Sequence, residues 1–176
     1  MTIVYLGLGA NLGDREASMR AALAALSRKA RITAVSSLFE TEPVGPAQPM
    51  YLNAVAAIDT DRAPAELLGI LWSLERDLGR ELMRERDAPR SIDIDILLYG
   101  SLRLNSARLT VPHPRLTERA FVLVPLAEIA SDLRHPTLGR TIAELAQEIG
   151  SDGVRLIAKS GWDGVAGRER RRRQRG

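Results

Sequence analysis

The segment Ser91-Ile92-Asp93-Ile94-Asp95-Ile96-Leu97-Leu98-Tyr99-Gly100 decides how the rest of the chain is read. Its first half alternates isoleucine with polar residues, which is the period of a β-strand that buries one face. On such a strand Asp93 and Asp95 project together, about 6 to 7 Å apart, while Ile92, Ile94 and Ile96 point the other way into apolar packing. At that separation and an effective dielectric of about 20, the two charges repel by about 2 to 3 kcal/mol. A divalent cation held between them reverses the sign of that term. Carboxylate oxygens with no histidine or cysteine beside them suit magnesium, which takes one or two carboxylates and fills its remaining positions with water and phosphate. The competing reading is the solvated face of an edge strand, which needs no ligand.

Outward from that strand, the chain alternates short apolar runs with helical stripes. Residues 2–9, TIVYLGLG, read as a buried strand followed by the turn ANLGD, with Asp14 as a helix cap. Met19, Ala22, Leu23, Leu26 and Ala30 recur at helical spacing, which predicts an amphipathic helix over 15–30. A second strand is expected over 32–40 and a third over 51–60. Between them EPVGPAQP, residues 42–49, places three prolines in eight positions and cannot be regular. Pro64 fits the first turn of a helix whose stripe is Leu67, Leu71, Leu74 and Leu78, ending near Gly79. Residues 80–90 are polar and irregular. Beyond the acidic strand, short extended pieces are expected over 102–114, short helices over 121–129 and 142–149, and a last strand over 154–158. The order β-α-β-β-α-β with additions predicts an α+β domain, its antiparallel or mixed sheet covered by helices.

A chain of 176 residues with 45% hydrophobic and 27% charged residues has the composition of one soluble globular domain with enough apolar side chains for a core. The absence of cysteine excludes a disulfide scaffold, a thiolate metal site and a cysteine nucleophile. No apolar run approaches the ~18 residues that span a bilayer, and the opening residues lack a basic leader, so a cytoplasmic protein without membrane contact is expected. Six arginines and one glutamate in residues 168–176 hold five units of net positive charge, so the rest of the chain carries −2 of the total +3. The basicity therefore belongs to an appendage. Residues 1–159 are expected to form the domain and 160–176 a basic tail, disordered because like charges repel and no apolar surface is buried. No nucleic-acid partner is expected apart from non-specific contacts of that tail.

Cations bracket the acidic strand. Arg80, Arg84, Arg86 and Arg90 precede it and Arg108, His113, Arg115 and Arg119 follow it, in a chain whose lysines are Lys29 and Lys159 alone. Guanidinium forks grip phosphate oxygens two at a time, so paired acids among arginines point to a nucleoside triphosphate. The plainer alternative is a salt-bridged surface, because Glu81, Glu85 and Asp87 are interleaved with the first group. The run Gly7-Leu8-Gly9-Ala10-Asn11-Leu12-Gly13 has the spacing of neither a dinucleotide fingerprint nor a P-loop, and tight turning is the role expected of its glycines. His113, held between Pro112 and Pro114, is a candidate phosphate ligand, whereas His135 is expected to be a loop residue. Tyr51 and Asn53 share a face of the third strand, and Phe121 follows Arg119. A flat ring could stack there while the Asn53 amide, donor and acceptor together, reads an amino-oxo edge. Burial of Tyr51 and Phe121 in the core is the other reading.

The run Arg86-Asp87-Ala88-Pro89-Arg90-Ser91-Ile92-Asp93-Ile94-Asp95-Ile96-Leu97, with YLGLGANLGD, ETEPVGP, YLNAV and RLTVPHPRLTERAFVLVPLAEIA, resembles the 6-hydroxymethyl-7,8-dihydropterin pyrophosphokinase family of folate biosynthesis across residues 2–159. The resemblance implies a ferredoxin-like β-α-β-β-α-β core with additions, and transfer of a pyrophosphoryl group from ATP to a pterin alcohol with release of AMP. It implies that Asp93 and Asp95 hold two magnesium ions and that Arg80 and Arg90 reach the transferring group. Glu75, Ile96, Arg108, Thr110, His113 and Arg119 would contact the nucleotide. Thr41, Val44, Tyr51, Asn53 and Phe121 would surround the pterin, with Tyr51 and Phe121 on its two faces and Asn53 at its edge. In that picture the partners are ATP and a pterin, the protein is a monomer, and residues 80–90 act with EPVGPAQP as a lid.

The chain departs from some members of that family at Asp87, where they carry tryptophan, at Leu82, where they carry arginine, and at Glu42 and Pro114. The expected chemistry is in-line attack of the hydroxymethyl oxygen on the β-phosphorus of ATP without a dedicated general base, because a loose phosphoryl transition state asks little of its nucleophile. Two other classes fit parts of the sequence. A nucleic-acid-binding sheet shares the element order but needs a KGFGFVxF-type aromatic strand that is missing here, and a metal-dependent nuclease or phosphatase could use the same acids.

Overall fold

The computed structural model describes residues 1–79 and 92–164. Within them the chain runs β1 (Thr2–Ala10), α1 (Arg15–Leu26), β2 (Arg31–Val35), β3 (Leu38–Thr41), β4 (Tyr51–Thr60), α2 (Pro64–Asp77) and β5 (Asp93–Tyr99). There follow β6 (Leu104–Asn105), β7 (Thr110–Val111), a 3-10 turn at Leu116–Glu118, α3 (Ala120–Ala130), α4 (Ile142–Ile149) and β8 (Val154–Ala158). The main sheet is antiparallel with the order β5-β1-β4-β3-β8, and β2 also pairs with β4. Strands β6 and β7 form a separate hairpin. The order β5-β1-β4-β3, with α1 and α2 on one face, is the ferredoxin-like arrangement expected of this sequence. Among the described residues no helix is long and apolar enough to cross a membrane.

Side-chain parity along the strands sorts the core into two layers. Val4, Leu6, Leu8 and Ala10 of β1, Leu52, Ala54, Ala56 and Ile58 of β4, and Ile94 and Ile96 of β5 pack with Met19, Ala22, Leu23 and Leu26 of α1 and Leu67, Leu71 and Leu74 of α2. On the opposite face Tyr5, Val55, Leu97 and Leu98 pack with Leu116, Val122, Leu123 and Leu126 and with Ile142 and Leu145. This second layer covers one end of the sheet face. The other end, where Gly7, Gly9, Tyr51, Asn53, Asp93 and Asp95 stand, opens into a cavity.

Three boundaries differ from expectation. Helix α1 begins as predicted, with Asp14 Oδ1 accepting the Ala17 N–H at 3.0 Å, but ends at Leu26 rather than Ala30. The Ser27 hydroxyl donates to the Ala24 carbonyl at 2.8 Å, and a tight turn carries the chain into β2. The strand expected over 32–40 is two strands, because the buried Ser36 hydroxyl takes the Val55 N–H at 2.9 Å in place of a ladder bond. Residues 160–163, assigned from sequence to the tail, pack on the body. Ser160 donates its N–H to Ser37 Oγ at 3.0 Å and its hydroxyl to the Val35 carbonyl at 2.8 Å, and the Trp162 indole N–H donates to the Ser36 carbonyl at 2.9 Å. A buried tryptophan offers the apolar surface that an arginine run lacks, so the body extends past residue 159. Residues 165–176, with the arginine run, lie outside the described residues.

Candidate active site

The strand register puts glycine between the acids and the asparagine. Gly9 pairs with Asp93 on one side and Asn53 on the other, and Gly7 pairs with Asp95 and Val55. Strands lie about 4.8 Å apart, so Asp93 and Asn53 flank a trough about 10 Å wide whose floor is bare backbone. A Cβ at Gly9 would stand 3.5 Å from Asn53 Oδ1 and 3.6 Å from Tyr51 Cδ1, and one at Gly7 would stand 3.3 Å from Leu97 Cδ2. The turning role expected of these glycines is therefore corrected. Gly7 and Gly9 lie inside β1 with no positive φ, and only Gly13 of that run adopts one, at 61°. Their function is to be flat.

The trough opens into a cavity of about 320 Å³ lined by Thr41, Val44, Tyr51, Asn53 and Phe121, all five residues grouped around the flat ring from sequence. The Asn53 amide donates to Thr41 Oγ1 at 2.7 Å, which fixes the plane of that amide. The proline-rich segment is irregular, as expected, and it is tied down. The Gln48 side-chain carbonyl accepts from the buried Asn11 amide at 2.8 Å and from the Tyr51 hydroxyl at 3.3 Å. Arg15 donates to the Met50 carbonyl at 2.8 Å and pairs with Glu40 at 2.7 Å, and Glu40 also bonds Arg155. Those two guanidiniums hold the Glu40 carboxyl below its ordinary range. Arg119, grouped with the nucleotide positions, lines this first cavity instead, its guanidinium 5.5 Å from the centre of the Phe121 ring.

A second cavity of about 350 Å³ lies on the other side of the acids, lined by Glu75, Ile96, Arg108, Thr110 and His113 together with Trp72 and Leu68. Asp93, Asp95, His113 and Pro114 line both cavities, so the acidic strand is their common wall. Glu75, 2% exposed, holds this wall in place: its carboxylate accepts the Ile94 N–H at 2.7 Å and ties α2 to β5 between the two acids. The His113 N–H donates to the Leu97 carbonyl at 2.8 Å, and His113 Nδ1 accepts the Arg115 N–H at 3.1 Å. Burial, and then the Arg119 guanidinium, push the His113 imidazole down from 6.5 to about 4, against the opposing pull of Asp93. The ring is therefore neutral at pH 7, and with Nδ1 accepting, its proton sits on Nε2, where it serves as a donor. His135 is a loop residue, as expected, with Nδ1 accepting from the Thr137 and Leu138 N–H groups. Arg80 and Arg90, with the rest of 80–91, lie outside the described residues.

Sequence reasoning passed over the glycine floor and the Glu75 tether. The floor carries a signal that strand parity could have found, since Gly7 and Gly9 alternate within an apolar strand. The tether carries none, because it joins segments 19 residues apart.

The described residues thus form a ferredoxin-like α+β domain with paired acids on a wall common to two cavities. The family model of 7,8-dihydro-6-hydroxymethylpterin-pyrophosphokinase (HPPK) matches residues 5–131, and the chain belongs to that family. The 2-amino-4-hydroxy-6-hydroxymethyldihydropteridine pyrophosphokinase of Pseudomonas aeruginosa is 45% identical over 158 residues, which cover 88% of this chain and 96% of that protein. The protein of the same name from Bacillus subtilis is 45% identical over 166 residues, covering 92% and 94%. Among solved structures, that of Plasmodium falciparum HPPK-DHPS wild type with pteroate superposes with a TM-score of 0.71 at 14% identity, over 89% of this chain and 48% of that one. That likeness concerns the fold, and this chain spans about half of that longer one.

Proposed function

We propose that this protein transfers the pyrophosphoryl group of ATP to the hydroxymethyl oxygen of 6-hydroxymethyl-7,8-dihydropterin in folate biosynthesis, releasing AMP. The observation that carries this reading is the wall of Asp93 and Asp95 common to two cavities of suitable size. The pterin would lie on the glycine floor between Tyr51 and Phe121, its edge read by Asn53 and Thr41, with Val44 at the rim. The nucleotide would occupy the cavity of Glu75, Ile96, Arg108 and Thr110.

Two hard carboxylates on one strand face fit magnesium. Magnesium held by one or two carboxylates fills its remaining positions with water and phosphate. Asp93 and Asp95 would hold two such ions, which when bound supply charge neutralisation across the phosphate oxygens. In the reaction, the bond from the pterin oxygen to the β-phosphorus forms as the bond from the β-phosphorus to the α-bridging oxygen breaks, and the alcohol proton leaves to solvent. The neutral His113 would donate from Nε2 to a phosphate oxygen, and Arg108 would pair with another. Arg119, at the pterin-side mouth, would face the transferring group together with Arg80 and Arg90, which the sequence resemblance assigns there. Stacking and the Asn53 hydrogen bonds fix the alcohol in line, so positioning supplies most of the rate. On this reading the protein acts as a cytoplasmic monomer and its arginine run is a solvated tail.

The test is incubation with MgATP and the hydroxymethyl pterin, following AMP. AMP and the pterin diphosphate should appear one for one, and only with both substrates present. Phosphate or ADP released from ATP without pterin would overturn the reading in favour of a phosphatase. Asp95→Asn should abolish turnover in a protein whose melting is unchanged.

A further inference from the structure

The large apolar side chains of helix α2 follow two different rules. Leu67, Leu71 and Leu74 are buried in the core, whereas Trp72 is 46% exposed on the adjoining face. That face is a ladder. Leu68, Trp72 and Glu75, four and three residues apart, all line the second cavity. Glu75 is its fixed end, because its carboxylate grips the Ile94 N–H between the two acids. At a rise of 1.5 Å per residue, Trp72 stands about 4.5 Å and Leu68 about 10 Å farther along the helix, away from the acids. Across the cavity run Ser106, Ala107, Arg108 and Leu109. The cavity is thus polar where it meets Asp93 and Asp95 and apolar and aromatic at its far end. The polarity of a nucleotide runs the same way, from phosphate to base.

We propose that the Trp72 indole is the wall on which the nucleotide base stacks. The inference rests on the assignment of the second cavity to ATP. An indole contributes flat area at little entropic cost, and a half-exposed one leaves that area wet until a second flat group covers it. Stacking recognises the face of a base rather than its edge, so Trp72 adds affinity for the nucleoside part and none for the phosphates.

The protein has two tryptophans, and the other is differently placed: Trp162 is 7% exposed and bonded to Ser36, beneath Arg20. Trp162→Phe therefore leaves Trp72 as the sole indole emitter, and the difference between wild type and Trp72→Phe gives the same signal if that variant folds poorly. ATP should quench this emission, whereas inorganic tripolyphosphate, which has no base, should not. Trp72→Ala should raise KM for ATP about 5- to 30-fold, as expected for one half-exposed stack. The KM for pterin and the inhibition constant of tripolyphosphate should not move, and Trp72→Phe should restore most of the loss. An unchanged KM for ATP in a Trp72→Ala enzyme that still releases AMP would overturn the inference, as would equal weakening of ATP and tripolyphosphate. If the wild-type protein releases no AMP, the functional reading falls instead, and the ATP quench still decides whether Trp72 meets a base.

Discussion

Substituting Gly9 by alanine separates the fold from the site, because the two respond in opposite directions. Gly9 lies in β1 without a positive φ, and a Cβ there meets its neighbours at 3.5 and 3.6 Å, ordinary van der Waals distances. Alanine is therefore accommodated, and by restricting the unfolded chain it should add about 0.4 to 1 kcal/mol of stability. For a chain of this size that is a rise of about 1 to 4 °C in Tm. The new methyl, however, stands in the trough between Asp93 and Asn53. A ring resting on bare backbone is lifted by about 1 Å, loses roughly ten close atom contacts worth about 0.1 to 0.2 kcal/mol each, and stretches its hydrogen bonds to the fixed Asn53 amide. The sum is about 2 to 3 kcal/mol, or a 30- to 150-fold rise in KM for the pterin. Thermal melting and KM for each substrate, read from AMP release, measure both arms. A stably folded Gly9→Ala protein with a normal pterin KM would refute the placement of the ring on this floor. An equal rise in KM for ATP would mean that the methyl disturbs the acidic wall rather than the trough.

Glu75→Ala should lower Tm by about 2 to 12 °C, since it leaves the buried Ile94 N–H without its acceptor at a cost of about 1 to 3 kcal/mol. Glu75→Gln keeps an oxygen at that position and should recover most of the loss, and a Glu75→Ala protein that melts like wild type would show the tether to be idle. Glu40 gives a pH dependence of definite sign. Its carboxyl is held below the ordinary 4.5 by Arg155 and Arg15, so between the folded and ordinary values the unfolded chain binds the extra proton. Its stabilisation is complete above pH 4.5 and is lost as pH falls through the folded value. In urea titrations the gap between wild type and Glu40→Gln should be constant from pH 5 to 7 and close below pH 4.5. A gap that persists undiminished to pH 3 would contradict the pairing.

What the sequence disclosed was whatever local periodicity fixes. Strand β4 and helix α4 begin and end at the expected residues because alternation and the helical stripe are properties of consecutive residues. The acidic strand was legible for the same reason, and Asp93 and Asp95 do share a face opposite Ile94 and Ile96. Hidden features came from partners distant in the chain. Ser36 splits a strand because its hydroxyl meets Val55, 19 residues on, and Trp162 joins the body because Ser36 offers it a carbonyl. The site combines the two kinds of information. Its residues were named in two groups, through periodicity or through resemblance: Thr41, Val44, Tyr51, Asn53 and Phe121 line the first cavity, Glu75, Ile96, Arg108 and Thr110 the second, and Arg119, grouped with the latter, lines the first.

Register is what makes the division. The β1–β5 pairing is continuous from Gly9–Asp93 to Leu6–Ile96 and shifts between Tyr5 and Leu6, where Leu97 and Leu98 both turn toward α3 and α4. That shift ends the open floor: beyond it leucines fill the face, and before it glycine leaves the face bare. A pair of acids beside two glycines therefore borders open space on one side and, across the strand held by Glu75, a second cavity on the other. Had β1 carried alanine or valine at positions 7 and 9, the same acids on the same strand would border a filled sheet, and the sequence motif around them would read almost unchanged.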